Sequence, residues 1–233
     1  MSGAGEAERS AAFYGRRKGK PLRDRQAELI GGLLPRLALG LDRPAPADLR
    51  TLFADPVADV HLEIGFGGGE HLVARLRAEP GLGLIGAEPF LNGMAKALAS
   101  IERERLAGRV RLHHADAVPL LDWLPPASLG RVDLLYADPW PKKRHWKRRF
   151  VDRANLDRIA RVLRPGGIFR FASDWPDYVD WTLRRLLDHP AFRWTARASA
   201  DWHTPWPEWP GTRYEAKALA EGRRPAYLTA ERL

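Results

Sequence analysis

The stretch V-H-L-E-I-G-F-G-G-G, from Val60 to Gly69, carries the strongest signal of the fold. Its first residues alternate between apolar and polar side chains, and glycines follow them. This pattern indicates a strand that ends in a tight turn before a helix. Because glycine permits such a turn and lets a ligand approach the backbone closely, the stretch predicts an α/β domain with a ligand site after its first strand.

Strand and helix patterns alternate on either side of this turn. Strands are predicted at 60–65, 82–87, 110–114, 132–137 and 168–172, and helices at 26–39, 70–78, 91–106, 153–163 and 178–187. A proline-rich linker is expected at 41–56, and a turn at 164–167, where arginine, proline and two glycines follow one another. This alternation favours βαβ units and a mainly parallel sheet flanked by helices.

The two ends of the chain differ from this pattern. Residues 194–211 are rich in tryptophan and proline and predict an ordered loop. After it, residues 214–219 and 226–229 flank the breaker string E-G-R-R-P, which predicts a closing antiparallel hairpin. Residues 1–25 are small, polar and basic, and we expect a mobile arm there, followed by a single domain over 26–233.

Composition limits the class of protein. A length of 233 residues suits one α/β domain with a terminal extension, and 45% hydrophobic residues are enough for a sizeable core. The absence of cysteine excludes disulfides and thiolate metal sites. No apolar run approaches the roughly 18 residues that span a bilayer, and the first 12 residues lack the apolar segment of a signal peptide. We therefore expect a cytoplasmic protein with no membrane partner.

Positive charge is concentrated in two blocks. The formal net charge is +9, and arginine outnumbers lysine 31 to seven. A GC-rich coding bias explains an excess of arginine, but it does not explain clustering. One block runs from Arg16 to Arg25, and the other places six cations between Lys142 and Arg149. Clustered cations are typical of proteins that bind nucleic acid.

Three acidic residues lie in or directly after predicted strands, where a cofactor would bind. A glycine-rich turn alone is compatible with NAD, FAD, a nucleotide or S-adenosylmethionine, and the absence of Gly-Lys-Ser/Thr excludes a P-loop. Glu63 would repel a pyrophosphate and attract a cationic amino-acid group. Glu88 ends the second strand, where a carboxylate can accept both hydroxyls of a ribose. Asp116 can accept from an adenine amino group, or it caps the helix that follows.

The second informative stretch is L-L-Y-A-D-P-W-P-K-K-R-H-W-K-R-R-F, from Leu134 to Phe150. A buried strand delivers Asp138 to its carboxyl end, where open α/β sheets bind ligands. The alternative for Asp138 is an Asx turn before proline. Trp140 is compatible with a site or with core packing, and Trp146 with a stacking platform or with core. His113 and His114 have no third ligand at zinc spacing, so no metal is expected.

Five motifs together resemble a known family. They are E-I-G-F-G (63–67), G-A-E-P-F (86–90), D-P-W-P-K-K-R-H (138–145), S-D-W (173–175) and T-R-Y-E (212–215). Over about residues 13–233 the chain resembles the bacterial single-subunit tRNA (guanine-N7-)-methyltransferases. The resemblance implies a class I methyltransferase fold with a seven-stranded sheet. It also implies methyl transfer from S-adenosylmethionine to N7 of a guanine in the variable loop of tRNA.

The resemblance also implies roles for individual residues. Asp138 matches the catalytic position. The cofactor positions are Glu63, Gly65, Gly67, Glu88, Asp116 and Asp138. The substrate contacts are Lys142, Asp174, Thr212, Arg213, Tyr214 and Glu215. The RNA-binding segment is Arg144, His145, Trp146, Lys147, Arg148 and Arg149. For Asp174 the residues leave a second interpretation, a cap on the helix behind it. Monomer and homodimer both remain open.

The chemistry of guanine N7 agrees with this set. N7 has an in-plane lone pair and no proton, so its methylation needs no strong general base. It needs alignment of the reactants and stabilisation of the positive charge that moves onto the purine, and Asp138 suits both.

Two other functions remain open. One is a catalytically inactive RNA-binding protein on the same scaffold, against which the intact acidic set argues. The other is methylation of an exocyclic amine of a base or of a protein. Such sites typically read Asn/Asp-Pro-Pro-aromatic, and here Trp140 replaces the second proline.

Overall fold

The computed structural model describes residues 19–233, and within them seven strands and eight α-helices are formed. The strands are β1 (Asp59–Ile64), β2 (Leu82–Ala87), β3 (Val110–His113), β4 (Leu129–Leu135), β5 (Leu163–Ser173), β6 (Phe192–Trp194) and β7 (Ala226–Arg232). The helices are α1 (Asp24–Gly32), α2 (Leu34–Leu37), α3 (Glu70–Ala78), α4 (Leu91–Arg103), α5 (Ala117–Trp123), α6 (Arg153–Val162), α7 (Pro176–Leu187) and α8 (Arg213–Ala220).

All seven strands belong to one sheet in the order β3-β2-β1-β4-β5-β7-β6. Strands β1 to β5 run parallel, and β7 is antiparallel to both of its neighbours. The chain builds outward from β1 to β3 on one side and from β4 to β5 on the other. This reversal leaves a crevice at the carboxyl ends of β1 and β4, where open α/β sheets bind ligands. The expected mainly parallel, seven-stranded sheet is confirmed.

The antiparallel pairing at the carboxyl end of the chain is confirmed, but its first strand is not the expected one. Residues 214–219 lie in α8, and β7 pairs instead with β6 and β5. The helix forms because Thr212 and Glu215 make a capping box. The Glu215 N–H donates to Thr212 Oγ1 at 3.1 Å, and the Thr212 N–H donates to Glu215 Oε2 at 3.3 Å.

The turn expected at 164–167 lies inside β5 as a bulge. Leu163 pairs with Leu129, whereas Ile168 pairs with Arg131, so four residues of β5 face one residue of β4. Gly166 has a φ of +74°, a conformation that glycine adopts without strain. The breakers therefore loop out of the ladder without ending the strand.

The sheet is apolar on one face. Leu62, Val132 and Phe169 lie side by side on adjacent strands and pack in the larger core cluster, which includes apolar residues of α5, α6 and α7. A second cluster joins α1, α3 and α4 to β2 and β3. Burial of these apolar surfaces provides the main stabilising free energy of the fold.

The opposite face carries a line of polar side chains, which we call the polar row. It consists of Glu63, Asp133, Arg170 and Thr229, which are paired across β1, β4, β5 and β7. Glu63 and Asp133 are each only 2% exposed, so their charges require partners. Those partners are His71 and Arg75 on α3, and Arg131 on β4 itself.

The arm expected at 1–25 falls mostly outside the described residues. At its carboxyl end, the Gly19 N–H donates to Asn92 Oδ1 at 2.7 Å, and Asn92 Nδ2 donates to the Lys20 carbonyl at 2.7 Å. Helix α1 begins at Asp24, so the boundary expected after residue 25 lies within a helix. These contacts hold residues 19 and 20 against the first turn of α4.

Candidate active site

A cavity of about 480 Å³ opens at the carboxyl ends of β1, β2 and β4. The structure brings many of the expected site residues to its walls, from both informative stretches of the sequence. Those residues are Gly65, Gly67, Glu88, Asp116, Asp138, Trp140, Lys147, Arg148, Arg149 and Tyr214. We call the three acids of this set the acidic wall.

Glu88 is buried in the cavity wall and organises the backbone around it. Its Oε2 accepts the Gly67 N–H at 2.6 Å, and its Oε1 accepts the Phe90 N–H at 2.7 Å. Burial raises the pKa of Glu88, and the negative charge of Asp138 adds to the rise, while the two N–H donors and Arg213 oppose it. A cation bound beside Glu88 would stabilise its ionised form.

Asp116 caps a helix and also lines the cavity. Its Oδ1 accepts the Val118 N–H at 2.7 Å and thereby caps α5. The residue is also part of the cavity wall. The cap orients the carboxylate at the end of β3, which is where the sequence predicts an acceptor for an adenine amino group. That contact stays a prediction.

Asp138 lies at the edge of the cavity on a constrained loop, with one side enclosed by the cavity walls and the other open to solvent. Tyr136 has a φ of +52° and Trp140 a φ of +44°, backbone angles that residues other than glycine seldom adopt. Such strain is concentrated at functional sites in proteins. Partial burial by the cavity walls raises the pKa of the Asp138 carboxyl.

Glu63 does not reach the described wall of the cavity. It is 2% exposed, and its Oε2 lies 2.9 Å from Nδ1 of His71 on α3. Burial lowers the pKa of His71, but the Glu63 carboxylate outweighs that effect, and the pKa is raised overall. Glu63 is thus a buried partner of the helix that follows the glycine turn, and a direct cofactor contact stays a prediction.

The basic segment after Asp138 forms a short 3₁₀ helix, Lys143–Arg148. Lys142, Arg144 and Lys147 are exposed, so their cations can reach a phosphate. Trp146 is partly buried and makes an edge contact with Trp181, with their centroids 5.6 Å apart. This contact favours packing over a free stacking platform.

Trp140 precedes this segment and contacts two of its residues, Arg148 and His145. Trp140 lines the cavity, and the Arg148 guanidinium lies 5.0 Å from its ring centroid. The ring of His145 meets Trp140 edge-on at 5.8 Å. The segment therefore presents cations outward while Trp140 forms part of the cavity wall.

Arg149 is only 2% exposed, so its side chain is not presented on the surface, and its expected contact with RNA stays a prediction. Its Nε donates to the Pro139 carbonyl at 2.8 Å, and its Nη1 donates to the Asp177 carbonyl at 3.1 Å. Three rings surround the guanidinium at about 5 Å, those of Trp146, Tyr178 and Trp181. Arg149 therefore ties the loop after Asp138 to α7, and burial lowers its pKa.

Asp174 forms an ion pair at the end of β5. Its Oδ2 accepts from Arg223 Nε at 2.5 Å. Trp175 is the residue before α7, and no side chain caps that helix, so the helix-cap alternative for Asp174 does not hold. The structure does not bring Asp174 to the cavity wall, and its role as a substrate contact stays a prediction.

The T-R-Y-E motif divides into two pairs of residues. Thr212 and Glu215 form the capping box, and Glu215 is 6% exposed. Arg213 and Tyr214 lie at the glycine turn: Tyr214 is 46% exposed and lines the cavity. Arg213 Nε lies 3.8 Å from Glu70 Oε1. Of the four expected substrate contacts, only this second pair is presented to a ligand.

Sequence reasoning missed three residues that shape the site. Tyr136 lines the cavity two residues before Asp138, and its place in the second informative stretch was the available signal. His71 pairs with Glu63 from the helix that follows the glycine motif. Trp209 contacts the His71 ring at a centroid distance of 5.2 Å, and nothing in its local sequence indicates that contact.

The described part of the chain offers neither a metal centre nor a membrane span. Across residues 19–233, no group of three or more His, Asp or Glu side chains is arranged to hold a metal ion. None of the helices formed by those residues is long and apolar enough to cross a membrane.

Comparison with known proteins identifies relatives over nearly the whole chain. A family model described as "Putative methyltransferase" matches residues 57–227. A protein named tRNA (guanine-N(7)-)-methyltransferase from Rhizobium meliloti (strain 1021) is 58% identical over 226 residues. The alignment covers 97% of this chain and 97% of that protein.

Solved structures share the fold at low sequence identity. One described as an antibiotic-related methyltransferase is 16% identical, has a TM-score of 0.52, and covers 83% of this chain and 94% of that chain. A SAM-dependent O-methyltransferase from Thermotoga maritima is 16% identical, has a TM-score of 0.50, and covers 91% of this chain and 72% of that chain. At this identity they establish the fold alone, which is the class I methyltransferase fold.

Proposed function

Because the chain belongs to the tRNA (guanine-N(7)-)-methyltransferase family, we propose that it transfers a methyl group from S-adenosylmethionine to N7 of a guanine in tRNA. The proposed position is the variable loop, and the product is N7-methylguanosine. The observation that carries the proposal is the cavity at the switch point of the sheet. Its acidic wall suits a cationic cofactor, and the exposed cations of the segment after Asp138 suit a polyanionic acceptor.

The acidic wall fits S-adenosylmethionine in charge and in donor set. The cofactor carries a sulfonium and an ammonium group, and it supplies the methyl group when it is bound. Glu88 would hold the ribose hydroxyls, and Asp116 would accept from the adenine amino group. The raised pKa of Glu88 supports this assignment, because burial leaves a carboxylate whose ionised form a bound cation stabilises.

Asp138 is the proposed catalytic residue. Its carboxylate at the cavity edge would orient the guanine and stabilise the positive charge that develops on the purine. The strained backbone at Tyr136 and Trp140 aims the carboxylate before the substrate arrives, so that little reorganisation is needed during the reaction. No residue has to remove a proton, because N7 carries none.

The exposed cations after Asp138 would bind the RNA backbone. Lys142, Arg144 and Lys147 are close in sequence to the catalytic carboxylate and open to solvent. Phosphate contacts of this kind position an RNA without reading its sequence. Specificity would come from the shape of tRNA and from a loop base that leaves its stack to enter the cavity. We expect the protein to act in the cytoplasm, where tRNA is matured.

The decisive experiment maps the methylated nucleoside. Unmodified tRNA is incubated with the protein and S-adenosylmethionine labelled in its methyl group, then digested to nucleosides and analysed by mass spectrometry. We expect label in 7-methylguanosine, at a variable-loop position. Label on an exocyclic amine or in protein would overturn the proposal, and binding of tRNA without any transfer would favour the inactive RNA-binding alternative. Asp138→Ala is the matched control for enzyme-dependent transfer.

A further inference from the structure

The loop of residues 202–211, which we call the tryptophan loop, is hydrogen-bonded to the polar row where that row crosses β5 and β7. Trp206 Nε1 donates to Thr229 Oγ1 at 2.9 Å. Glu208 accepts from Arg131 Nη1 at 3.3 Å and from Arg170 Nη1. These bonds run to β4, β5 and β7, so the loop covers the part of this face that lies beyond α3. The loop is therefore ordered by the sheet beneath it.

Trp209, in this loop, contacts α3, α8 and β7. Its Nε1 donates to Glu215 Oε2 at 2.6 Å, on the first turn of α8. Its ring lies 5.2 Å from the His71 ring on α3, and 5.9 Å from the ring of Tyr227 on β7. Glu215 is buried and also accepts from the Tyr227 hydroxyl. One indole thus connects α3, α8 and the sheet.

The hydrogen bond from Trp209 holds the first turn of α8, and this turn also meets the proposed cofactor cavity. Arg213 and Tyr214 directly precede Glu215. An added Cβ on Gly67 would lie 3.2 Å from Arg213 Nη2 and 3.6 Å from the Tyr214 ring, so both side chains sit against the glycine turn. Arg213 is close enough to Glu88 to oppose the rise in its pKa. A displacement of this turn would move both side chains relative to the cavity.

We propose that Trp209 is a positioning residue for cofactor binding: its hydrogen bond to Glu215 fixes the first turn of α8, and thereby holds Arg213 and Tyr214 against the glycine turn. This inference rests on the proposed function, because it assigns S-adenosylmethionine to the cavity. It also gives Glu215 a second structural role, in addition to the capping box that it forms with Thr212.

The physical reason is that α8 cannot hold this position alone. It has only eight residues, and isolated helices shorter than about 12–15 residues are marginal in water. Its order depends on the capping box and on tertiary contacts. Removal of the indole donor leaves a buried carboxylate with one fewer partner, which costs about as much as a charge-assisted hydrogen bond. The capping box and the Tyr227 contact would remain, so the helix would loosen without unfolding.

The test compares two tryptophan variants in the same loop. Trp209→Phe keeps an aromatic ring beside His71 and removes the donor to Glu215. Trp202→Phe is the matched control, because Trp202 stacks on His203 at 4.1 Å and meets Trp194 edge-on at 6.5 Å, and neither partner belongs to α8. We expect the dissociation constant of S-adenosylmethionine, measured by calorimetry, to rise about tenfold in Trp209→Phe and to stay unchanged in Trp202→Phe. Unchanged affinity in a folded Trp209→Phe would overturn the proposal.

A double-mutant cycle separates positioning from a general loss of stability. Glu215→Met keeps the length of the side chain and removes its acceptor oxygens, so it should weaken cofactor binding by at least the same factor. Trp209→Phe should add little in that background, because the bond between the two residues is already absent. Fully additive effects on the dissociation constant would contradict the proposal. If Trp209→Phe does not fold, Glu215→Met alone remains decisive. An effect of Glu215→Met on the KM for tRNA, without a change in cofactor affinity, would then assign Glu215 to the substrate and overturn the inference.

Failure of this inference is distinguishable from failure of the proposed function. The wild-type chain is titrated first with S-adenosylmethionine in the absence of tRNA. A wild-type chain that does not bind the cofactor would refute both ideas together. A wild-type chain that binds it and methylates guanine N7, with Trp209→Phe binding equally well, would refute only the positioning role.

Discussion

Asp138 is held as an ionisable group in surroundings that disfavour its charge. The backbone on either side of it is strained, and partial burial raises its pKa. A carboxyl whose pKa is raised in the folded state lowers stability at pH values above that pKa, because the unfolded chain ionises more easily. This is the arrangement expected of a residue kept for chemistry at some expense of stability.

We therefore expect Asp138→Asn to separate activity from stability. The amide keeps the shape and removes the charge, so turnover should fall by about 100-fold or more. The thermal midpoint at pH 7 should be unchanged or higher, since the disfavoured charge is gone. Turnover is measured with methyl-labelled cofactor, and stability by calorimetry. Near-wild-type turnover in a folded Asp138→Asn would show that its charge does not stabilise the transition state.

Glu88 is expected to contribute directly to cofactor affinity. Glu88→Ala removes an ionised acceptor from the cavity wall, and we expect the dissociation constant of S-adenosylmethionine to rise about ten- to a hundredfold. Glu28→Gln, an exposed acid on α1, is the control with no expected effect. Glu88 also accepts the Gly67 and Phe90 N–H groups, so circular dichroism should accompany the titration. Unchanged affinity would show that Glu88 serves only the backbone.

The same raised pKa values predict the acid limit of activity. Burial raises the pKa of both Glu88 and Asp138, so both carboxylates protonate at a higher pH than the ordinary value of about 4. Activity requires their ionised forms and should fall as the pH is lowered through these raised values. A bound cofactor cation favours ionisation, so the fall in kcat/KM should lie at higher pH than the fall in kcat. If kcat/KM and kcat fell at the same pH, and at the ordinary carboxylate pKa of about 4, this assignment would be contradicted.

At the scale of the element, the basic segment 142–149 contains two kinds of cation. Lys142, Arg144 and Lys147 face solvent, whereas Arg149 is enclosed by three aromatic rings and bonds two backbone carbonyls. The segment is thus anchored by its last residue and offers its earlier ones to a ligand. A block of like charge in the sequence does not reveal this division.

The division predicts different outcomes for the two kinds of cation. The triple change Lys142→Ala, Arg144→Ala and Lys147→Ala should weaken tRNA binding at low salt. The slope of log affinity against log salt should become shallower by about 0.7–0.9 for each phosphate that the variant no longer neutralises. Cofactor affinity should be unaffected by Lys142→Ala and Arg144→Ala, because neither residue lines the cavity, whereas Lys147 does. An unchanged slope in the triple variant would mean that the RNA enters by another face.

Arg149→Ala should instead act on stability. It removes two hydrogen bonds and the cation–π contacts from a buried position, and we expect a decrease of about 2–4 kcal/mol in the free energy of unfolding. The salt slope of tRNA binding, measured below the unfolding transition, should match the wild type. A shallower salt slope in an Arg149→Ala variant of wild-type stability would instead mean that Arg149 contacts the RNA.

At the scale of the whole molecule, ion pairs link strands that are distant in sequence. Asp59 at the start of β1 accepts from Arg164 in the bulge of β5, at 2.6 and 2.8 Å across 105 residues. Burial opposes ionisation of Asp59, but its bonds to His61 and Arg164 outweigh that effect and hold its pKa well below the usual range. An acid with a lowered pKa contributes stability above its unfolded pKa, and this contribution disappears as the pH falls through the folded value.

We expect Asp59→Asn to lower stability at pH 7 by about 1 kcal/mol, because partial exposure screens the pair. The difference from the wild type should shrink as the pH is lowered below about 4, where the wild-type contribution begins to disappear. Thermal midpoints from pH 7 to pH 3 measure this convergence. A difference that stays constant over that range would mean that packing, rather than charge, accounts for the effect.

Local patterns in the sequence were enough to predict the parallel strands of the sheet, the position of the cavity and most of its acids. Hydrophobic periodicity and the positions of glycines are local signals. They predicted a helix at 70–78 and a strand at 82–87, which are the bounds of α3 and β2. Glu88, Asp116 and Asp138 were found because residues at the carboxyl ends of parallel strands converge wherever such a sheet forms.

The availability of each side chain to a ligand depended instead on the tertiary structure. Arg149 and Glu215 belong to motifs that suggest binding, yet both are buried, because residues far along the chain supply their partners: Asp177 and Tyr178 for the first, Tyr227 for the second. The position of 214–219 also depends on Trp209, although the capping box that begins this helix is a local pattern of Thr212 and Glu215. Burial and long-range hydrogen bonding depend on the positions of all the elements together, and no local pattern contains that information.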